Sequence, residues 1–433
     1  MKIYSFPRGG LNFDDPTAPP KSTAVTAFLP ALSVIPLGET GAKVFPVVNN
    51  GEMVKEGMMI GRAQGLLSVN AHAAVPGRVV RKESWIDADG VENDALIIRM
   101  EGAFEKLGRK EDIFIWKSLS GYDLQRMISE LGIVEMENNG RPLGKMISSV
   151  RKDGEKLTLV VRCVFDDPWL AADFALCRER LSTVIEGAAV VAKACMNTTQ
   201  IIIAVSHHEK ELGELLLSET GKWDYPAALV LTGSRYPQRN NRELETALRA
   251  YEKAEGLNLG SFLILGPAVL AAACDAVKNK RPILDRYVAV GGSAVRYPQV
   301  MKVRIGTRIG ELIDQCGGFV EEPYRIIMGS PLTGKEVMYL DEPVGKTCYA
   351  IVAMTKSQAS CGGQQNCINC GECRAVCPVG LDPQNIYKRI LTFGLTDADS
   401  ADCHGCGCCK IVCPSSLPLS ETILGRNKEQ ANV

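Results

Sequence analysis

The sequence predicts a multidomain protein that combines α/β and α+β folds, on three observations. The chain has 433 residues, enough for about three domains. Its pattern of strands and helices changes character twice along the chain, and ten of its sixteen cysteines lie between residues 361 and 413. We therefore predict a β domain at 1–105, a Rossmann-like parallel α/β domain at 115–282, a small α+β domain at 283–356 and a cysteine-rich domain at 360–425.

Composition narrows the class of protein. Lys and Arg number 49 against 50 Asp and Glu, and this balance argues against a general nucleic-acid binder, which needs a basic excess. No apolar run reaches the roughly 18 residues of a membrane span, and the first residues lack the apolar core of a signal peptide. We expect a cytoplasmic protein that reaches a membrane through a partner.

Residues 1–105 carry frequent turn signals between strand-like segments at 43–48, 78–81 and 95–99. The glycine-punctuated stretch 51–61, followed by Pro76-Gly77, resembles the hairpins of lipoyl-type barrel-sandwich hybrid domains. Those domains carry a cofactor on a lysine at a hairpin tip, but the corresponding tip at 68–71 has no lysine. We therefore expect a structural β domain and not a swinging-arm carrier.

Residues 115–282 alternate between strand-like and helix-like segments. Apolar, β-branched runs at 157–164, 199–205 and 228–232 predict buried strands, and helical spacing of apolar positions predicts helices at 182–195, 242–255 and 267–278. This alternation is typical of an open parallel sheet with helices on its faces. Such a sheet binds nucleotides at the carboxyl ends of its strands when suitable loops are present.

Residues 283–356 change pattern again: strands at 287–290 and 301–305, a helix at 309–316, a Gly317-Gly318 turn and a strand at 324–328. The order resembles the soluble-ligand-binding β-grasp (SLBB) module, a small α+β domain. The charge-rich segment 278–286 is interpreted as a solvated face.

The cysteine-rich tail repeats one pattern, C-x2-C-x2-C-x3-C-P, which is the bacterial spacing for [4Fe–4S] clusters. Three thiolates on a tight loop reach three irons of one cubane, while the fourth, one helical turn later, faces the neighbouring cubane. The sequence therefore predicts two clusters in a ferredoxin-like fold. Their predicted ligands are Cys367, Cys370, Cys373 and Cys413 for one cluster, and Cys403, Cys406, Cys409 and Cys377 for the other.

Zinc is the alternative occupant of such a tail. Structural zinc takes four tetrahedral ligands, usually as two separated C-x2-C pairs, so the third closely spaced cysteine in each copy would be superfluous. Cys408, Cys361 and His404 are predicted to be non-ligands. The remaining cysteines are predicted to be small buried apolar residues; they are Cys163, Cys177, Cys195, Cys274, Cys316 and Cys348.

The domain order, the paired cysteine motifs and Phe6-Pro-Arg-Gly-Gly near the start together resemble the C subunit of Rnf-type ion-translocating electron-transport complexes. Cobalamin reductases of microcompartments and electron carriers of proline reductase share these modules. The resemblance implies an α/β domain similar to the flavoprotein subunit of complex I. It also implies a peripheral subunit on the cytoplasmic side of the membrane, docked on membrane subunits, that exchanges electrons between NADH, FMN, iron–sulfur clusters and a soluble carrier such as ferredoxin.

The chain departs from the family in three nucleotide-site segments. The flavin loop, about G-I-V-G-x-G-G-A-G-F-P-T in the family, keeps Gly132, Gly140 and Pro142 but has Glu135, Glu137 and Asn138 in place of glycines. The segment N-G-A-E-C-E-P-Y-L-T-A-D reads RCVFDDPWLAAD from residue 162, with one glutamate lost and the other shortened to Asp167. The segment Y-P-Q-G-x-E-K keeps its first three residues, beginning at Tyr236, and then reads RNNR. The residues that would still serve a degenerate FMN or NADH site are Gly140, Pro142, Asp167 and Tyr236.

Glycine-rich loops close on phosphates through backbone amides, and two carboxylates near a phosphate would repel it by about 4 kcal/mol each at 4 Å. The sequence thus predicts an electron-transfer subunit that has lost FMN and NADH binding, or binds them differently, and that contributes no catalytic acid, base or nucleophile. Three alternatives stay open: a scaffold that only positions clusters, a soluble electron-transfer protein of the proline-reductase or cobalamin-reductase type, and a complete NADH dehydrogenase with a divergent flavin loop.

Overall fold

The structure, a computed structural model, describes residues 2–38, 43–65, 67–86, 90–104, 115–137, 140–152, 154–359, 363–394 and 398–431. Asn138 and Cys361 lie outside these ranges. Short 3-10 helices occur at Trp116–Ser118, Pro168–Leu170, His207–Glu209 and Ala398–Asp402.

The first part of the chain is built from strands, most of them short. They are β1 (Ile3–Tyr4), β2 (Val25–Thr26), β3 (Leu32–Pro36), β4 (Val44–Pro46), β5 (Met53–Val54), β6 (Met59–Ala63), β7 (Ala71–His72), β8 (Gly77–Ile86) and β9 (Glu92–Met100). Strands β3 to β9 pair antiparallel. One sheet has the order β3-β9-β8-β5 and a smaller one the order β4-β6-β7. Ile60, Val79 and Ile98 are buried in the apolar core that the two sheets share. The predicted strands at 43–48, 78–81 and 95–99 are confirmed.

The middle of the chain alternates strands and helices. They are α1 (Gly121–Glu130), α2 (Leu143–Val150), β10 (Leu157–Cys163), α3 (Ala171–Glu179), α4 (Leu181–Cys195), β11 (Thr198–Ser206), α5 (Lys210–Thr220), β12 (Ala227–Thr232), α6 (Asn241–Glu255), β13 (Ser261–Leu265) and α7 (Pro267–Asn279). The strands form one parallel sheet in the order β1-β12-β11-β10-β13. All seven residues of β10 are buried, as expected of a central strand with helices on both faces.

The predicted parallel α/β architecture is confirmed, as are its three strands and three helices. Strand β13 is an addition to the prediction. Its five residues lead almost directly into α7, and so short an apolar run has no periodicity that separates it from the helix.

The third part contains β14 (Asp285–Gly291), β15 (Gln299–Arg304), α8 (Ile309–Gln315), β16 (Arg325–Met328), β17 (Lys335–Glu336) and β18 (Ala350–Met354). Its sheet has the order β17-β16-β18-β14-β15-β2 and packs on α8 through Val288, Met301 and Ile313. The interpretation of 278–286 as a solvated face is wrong. Arg286 is 2% exposed and Lys278 forms an ion pair with Glu186, because the start of β14 packs against the α/β domain.

The tail contains α9 (Lys356–Ala359), α10 (Glu372–Ala375), α11 (Pro383–Phe393), α12 (Cys408–Ile411) and α13 (Leu419–Ala431). Helices α11 and α13 pack on each other, with Ile386, Ile390 and Ile423 buried near Cys377. No helix within the described ranges has both the length and the apolar character needed to cross a membrane.

The first residues of the chain tie the parts together. Strand β1 lies parallel to β12 at the edge of the α/β sheet, and β2 lies parallel to β15 in the third sheet. The predicted segment 1–105 therefore contributes strands to sheets of all three parts. The reason is that these pairings are long-range, and such short strands carry no sequence signal of their partner.

Candidate functional site

The two cysteine repeats have the same backbone shape. Gly371 and Gly407 occupy equivalent positions, immediately before α10 and α12, with φ of 81° and 78° and ψ of −4° in both cases. The residues that follow the two helices, Val376 and Val412, also match, with φ of −87° in both. Left-handed conformations of this kind favour glycine, so the repeated glycine fixes the same turn in both copies.

The first predicted ligand set surrounds a single cavity. The cavity has about 310 Å³ of empty space, counted with its open side, and its remaining walls include Leu417 and Leu419. Its four cysteines are those predicted for one cluster, three from the first repeat and one from the second: Cys367, Cys370, Cys373 and Cys413. The apolar walls reduce access of water to the thiols on that side.

The second predicted set lies beside the first. The thiols of Cys377 and Cys403 both interact electrostatically with Cys406, and Cys409 interacts with all three. Cys409 also interacts with Cys373 of the first set, and both belong to one apolar cluster. Burial raises the pKa of Cys377, Cys403 and Cys409, so these thiols are protonated near neutral pH unless a positive group binds them.

Among the residues that the structure describes, no three His, Cys, Asp or Glu side chains converge closely enough to hold a single metal ion. Thiolates that bind a cubane attach to separate irons and stand further apart than the ligands of one zinc ion. The described cysteines outside the tail are all buried, as predicted.

The two predicted non-ligands of the second repeat have other partners. Cys408 is buried and its thiol donates a hydrogen bond to Cys406, which lowers the pKa of Cys406 to about 7. His404 has a partner at each ring nitrogen: Glu243 Oε1 lies 2.8 Å from Nε2, and Asn240 Nδ2 lies 3.2 Å from Nδ1. The histidine therefore joins the tail to helix α6.

Further contacts join the tail to the α/β domain. Tyr236 donates a hydrogen bond of 2.7 Å from its hydroxyl to the carbonyl oxygen of Cys406, and Arg242 forms an ion pair of 3.0 Å with Asp402. The amide of Gly10 donates to the carbonyl oxygen of Val376 at 2.8 Å. The predicted cluster region is thus held against the loop after β12 and against the chain's N-terminal segment.

A second candidate site lies at the carboxyl ends of the parallel strands. The chain runs from β10 to β11 to β12 in one direction and then returns to place β13 on the other side of β10. The crevice between β10 and β13 is therefore the topological switch point, where open α/β sheets bind ligands. Arg162 lies at the end of β10, and Gly266 follows β13 and caps helix α7.

The side chain of Glu137 occupies this crevice. Its carboxylate forms ion pairs with Arg162 and Arg239, and the side chains of Glu137 and Arg162 are each 4% exposed. A methyl group added at Gly266 would overlap Glu137 Oε1, so the carboxylate lies directly against the first residues of α7. Arg286 completes the positive surround and donates to the carbonyl oxygen of Cys348 at 3.1 Å.

Among the buried acids in and around this crevice, Glu137 is the one that the neighbouring charges keep ionised. Burial alone would raise its pKa, but the charges of Arg162, Arg239 and Arg286 outweigh burial and hold the pKa below its usual value. Burial raises the pKa of two neighbouring acids instead, Asp166 to about 7 and Asp173 to about 6. The crevice thus contains a buried ion cluster, formed by Glu137 with Arg162 and Arg239, beside Arg286.

Of the four residues predicted for a degenerate nucleotide site, Asp167 interacts electrostatically with Arg239 of the ion cluster. Gly140 lines a separate cavity beside His72 and Lys346, and Pro142 precedes α2. Asp167 accepts a hydrogen bond from the amide of Trp169, and Tyr236 contacts the tail. The sequence places Glu137 in the flavin loop but does not predict its arginine partners. A signal was present, since two of the altered segments each introduced an arginine.

Comparison with known proteins gives three family matches. Residues 7–103 match the RnfC barrel sandwich hybrid domain, residues 128–256 the Nuo51 FMN-binding domain and residues 287–341 the SLBB domain. The second match contains Glu137, Arg162 and Arg239. The residues present do not fit a flavin phosphate there, because an ionised carboxylate already lies among the arginines and against the start of α7.

Curated relatives match most of the chain. The C subunit of the ion-translocating oxidoreductase complex of Rhodobacter capsulatus is 29% identical over 84% of this chain and 70% of its own length. The C subunit of the Na⁺-translocating ferredoxin:NAD⁺ oxidoreductase complex of Acetobacterium woodii is 27% identical over 82% and 81%. The proton-translocating counterpart of Clostridium ljungdahlii is 28% identical over 87% and 82%.

Proposed function

The chain belongs to the RnfC family of C subunits of ion-translocating oxidoreductase complexes, and we propose that it carries electrons for such a complex through two [4Fe–4S] clusters in its tail. The observation that carries the proposal is the cavity lined by Cys367, Cys370, Cys373 and Cys413, in which the second repeat supplies one cysteine to the set of the first. When bound, such clusters supply one-electron redox chemistry.

In this proposal Cys377, Cys403, Cys406 and Cys409 hold the second cluster. The contact of Cys409 with both sets favours electron exchange between them, since the two ligand sets share one apolar cluster. The residues of the chain hold, shield and tune the clusters; they transfer no proton and form no covalent bond with a substrate.

The chain's own groups tune the predicted clusters. The amide of Leu381 donates to Cys377 Sγ at 3.2 Å, and backbone amides of Gln384 and Arg374 donate to Cys373. Hydrogen bonds to ligand sulfurs stabilise negative charge and raise the reduction potential, whereas burial by Leu417 and Leu419 disfavours added charge. The working potential follows from the balance of these two effects.

We propose that the partners are the other subunits of an Rnf-type complex and a soluble electron carrier, which the names of the A. woodii and C. ljungdahlii relatives identify as ferredoxin and NAD⁺ for their complexes. Peripheral attachment on the cytoplasmic side of the membrane belongs to the same proposal. The domain boundaries predicted above are part of it as well.

Reduction of anaerobically purified full-length protein tests this proposal. Reduced ferredoxin and dithionite should both bleach the cluster absorbance, and NADH without added flavoprotein should leave it unchanged. Bleaching by NADH alone would favour a complete NADH dehydrogenase. Clusters that dithionite reduces, but that neither ferredoxin nor the membrane subunits of the complex can reduce or oxidise, would favour the scaffold alternative.

A further inference from the structure

We infer that the side chain of Glu137 fills the crevice between β10 and β13 in place of a bound flavin phosphate. We infer also that the arginines around it form an anion site, which accepts a phosphate monoester once this carboxylate is removed. The inference concerns the α/β domain and is independent of the clusters in the tail.

The topology of the parallel sheet explains why an anion is expected where the carboxylate of Glu137 lies. Arg162 lies at the end of β10, Gly266 follows β13, and Arg239 lies in the loop that follows β12. These are the carboxyl ends of parallel strands around the switch point, and helix α7, of 13 residues, begins there. Both the fold and the start of a helix favour a bound anion at this place. The anion that the structure has there is the side chain of Glu137.

The surround is buried and mainly positive, with Glu135 as a second carboxylate 3.7 Å from Arg162. Glu137 contacts Arg162 and Arg239, and Arg286 lowers its pKa through charge. A buried cluster of guanidinium groups requires a negative partner, because an unpaired buried charge costs several kcal/mol. Guanidinium groups bind carboxylates and phosphates with the same planar fork of donors. A phosphate could therefore take the place of the carboxylate without any change in the donors.

Three departures from the family pattern meet in this cluster. Glu137 and Arg239 stand where the pattern has glycines, and Arg162 stands where it has asparagine. Arg162 and Arg239, which lie 25 and 102 positions from Glu137 along the chain, thus both contact its carboxylate. We interpret the three changes as one replacement: an internal ion cluster in place of a bound cofactor.

Full-length wild-type protein and the Glu137→Ala variant can be titrated with inorganic phosphate, FMN and riboflavin at constant ionic strength by calorimetry and flavin fluorescence. The variant should bind phosphate and FMN at least about tenfold more tightly than the wild type, which corresponds to about 1.4 kcal/mol. Riboflavin, which lacks the phosphate, should bind more weakly than FMN.

Asp275→Ala is the matched control. It also removes a largely buried carboxylate that pairs with an arginine, Arg180 at 2.9 Å, but it does so in the middle of α7, away from the strand ends. This variant should bind phosphate and FMN no better than the wild type. A response equal to that of Glu137→Ala would mean that any unpaired buried arginine attracts the anion, and it would overturn the inference.

Two further results would overturn the inference. One is wild-type protein that binds FMN as tightly as Glu137→Ala does, and the other is a Glu137→Ala variant that binds neither phosphate nor FMN more tightly than the wild type. If Glu137→Ala does not fold in chloride, its refolding yield in phosphate is the readout. A higher yield in phosphate than in chloride supports the anion site, and equal yields contradict it.

Discussion

The hydroxyl of Tyr236 donates a hydrogen bond of 2.7 Å to the backbone carbonyl oxygen of Cys406, a predicted cluster ligand. Tyr236 belongs to the loop after β12, the same loop that carries Arg239 into the crevice. One loop therefore contacts both candidate sites, with a tyrosine on the tail and an arginine on Glu137. Changes in this loop should consequently affect the tail and the crevice separately, depending on the residue changed.

Tyr236→Phe should loosen the tail. The substitution leaves the carbonyl oxygen of Cys406 without this donor, and a lost hydrogen bond of this kind costs about 0.5–1.5 kcal/mol. Amides of residues 403–413 should then exchange with solvent about two- to tenfold faster in hydrogen-exchange mass spectrometry. Tyr297→Phe, at a tyrosine that is 65% exposed, is the control and should leave exchange unchanged. Equal rates in both variants would show that the Tyr236 contact does not hold the tail.

Each cluster is predicted to take three cysteines from one repeat and one from the other. Substitutions in different repeats should therefore deplete the same cluster. Cys413→Ser should deplete the same cluster as Cys370→Ser, although Cys413 belongs to the other repeat, because both line one cavity. Cys377→Ser should deplete the second cluster. Iron analysis and paramagnetic resonance of the reduced variants measure this directly. Cys408→Ala should retain both clusters; a spectrum in which Cys413→Ser matched Cys406→Ser would contradict this assignment.

Gly266→Ala should be strongly destabilising, because its methyl group would overlap Glu137 Oε1. Adding Glu137→Gly to this variant should recover part of the lost stability by removing the overlapping atoms, although it leaves the arginines without their carboxylate. Urea unfolding of the single and double variants measures the coupling between the two sites. Gly425→Ala, in helix α13, is the control and should have little effect, because no described atom outside the backbone of its own helix lies within 4 Å of the added methyl. Additive effects of the two changes would argue that Glu137 does not lie against Gly266.

Asp166 should make stability depend on pH. Its pKa is raised by burial to about 7, above the value of about 4 expected in the unfolded chain, so the folded protein holds a proton that the unfolded chain releases. The free energy of unfolding should therefore fall as pH rises from about 4 to 7, by about 1.4 kcal/mol for each pH unit between the two pKa values at most. Asp166→Asn should remove this part of the pH dependence and be more stable than wild type at pH 7.5. A pH profile identical to that of wild type, or to that of the exposed-site control Asp341→Asn, would contradict the raised pKa.

Much of the architecture was predictable from the sequence. The buried strand 157–164 and the helices at 182–195 and 242–255 carry strong periodicity, and the structure confirms them within one or two residues. The cysteine spacing was equally readable, because the ligand residues of each repeat are close in sequence. The assignment of individual cysteines to clusters stays a prediction.

The parts that sequence reasoning missed depend on long-range contacts. Arg286 belongs to a charge-rich segment that looks solvated, yet it is buried because β14 packs beside Met136 and Cys348. The meeting of Glu137 with Arg162 and Arg239 requires three loops to converge at the strand ends. No local pattern encodes that convergence, and only the assembled sheet brings these charges together.

The most direct test of the central claim is the cofactor inventory of the anaerobically purified full-length protein. The account predicts about eight iron and eight sulfide per chain, which is the content of two [4Fe–4S] clusters, with no more than trace zinc or flavin. Reduction should then produce a paramagnetic signal of two interacting clusters. A colourless preparation with two zinc ions per chain, or one with stoichiometric FMN and no iron, would contradict the account.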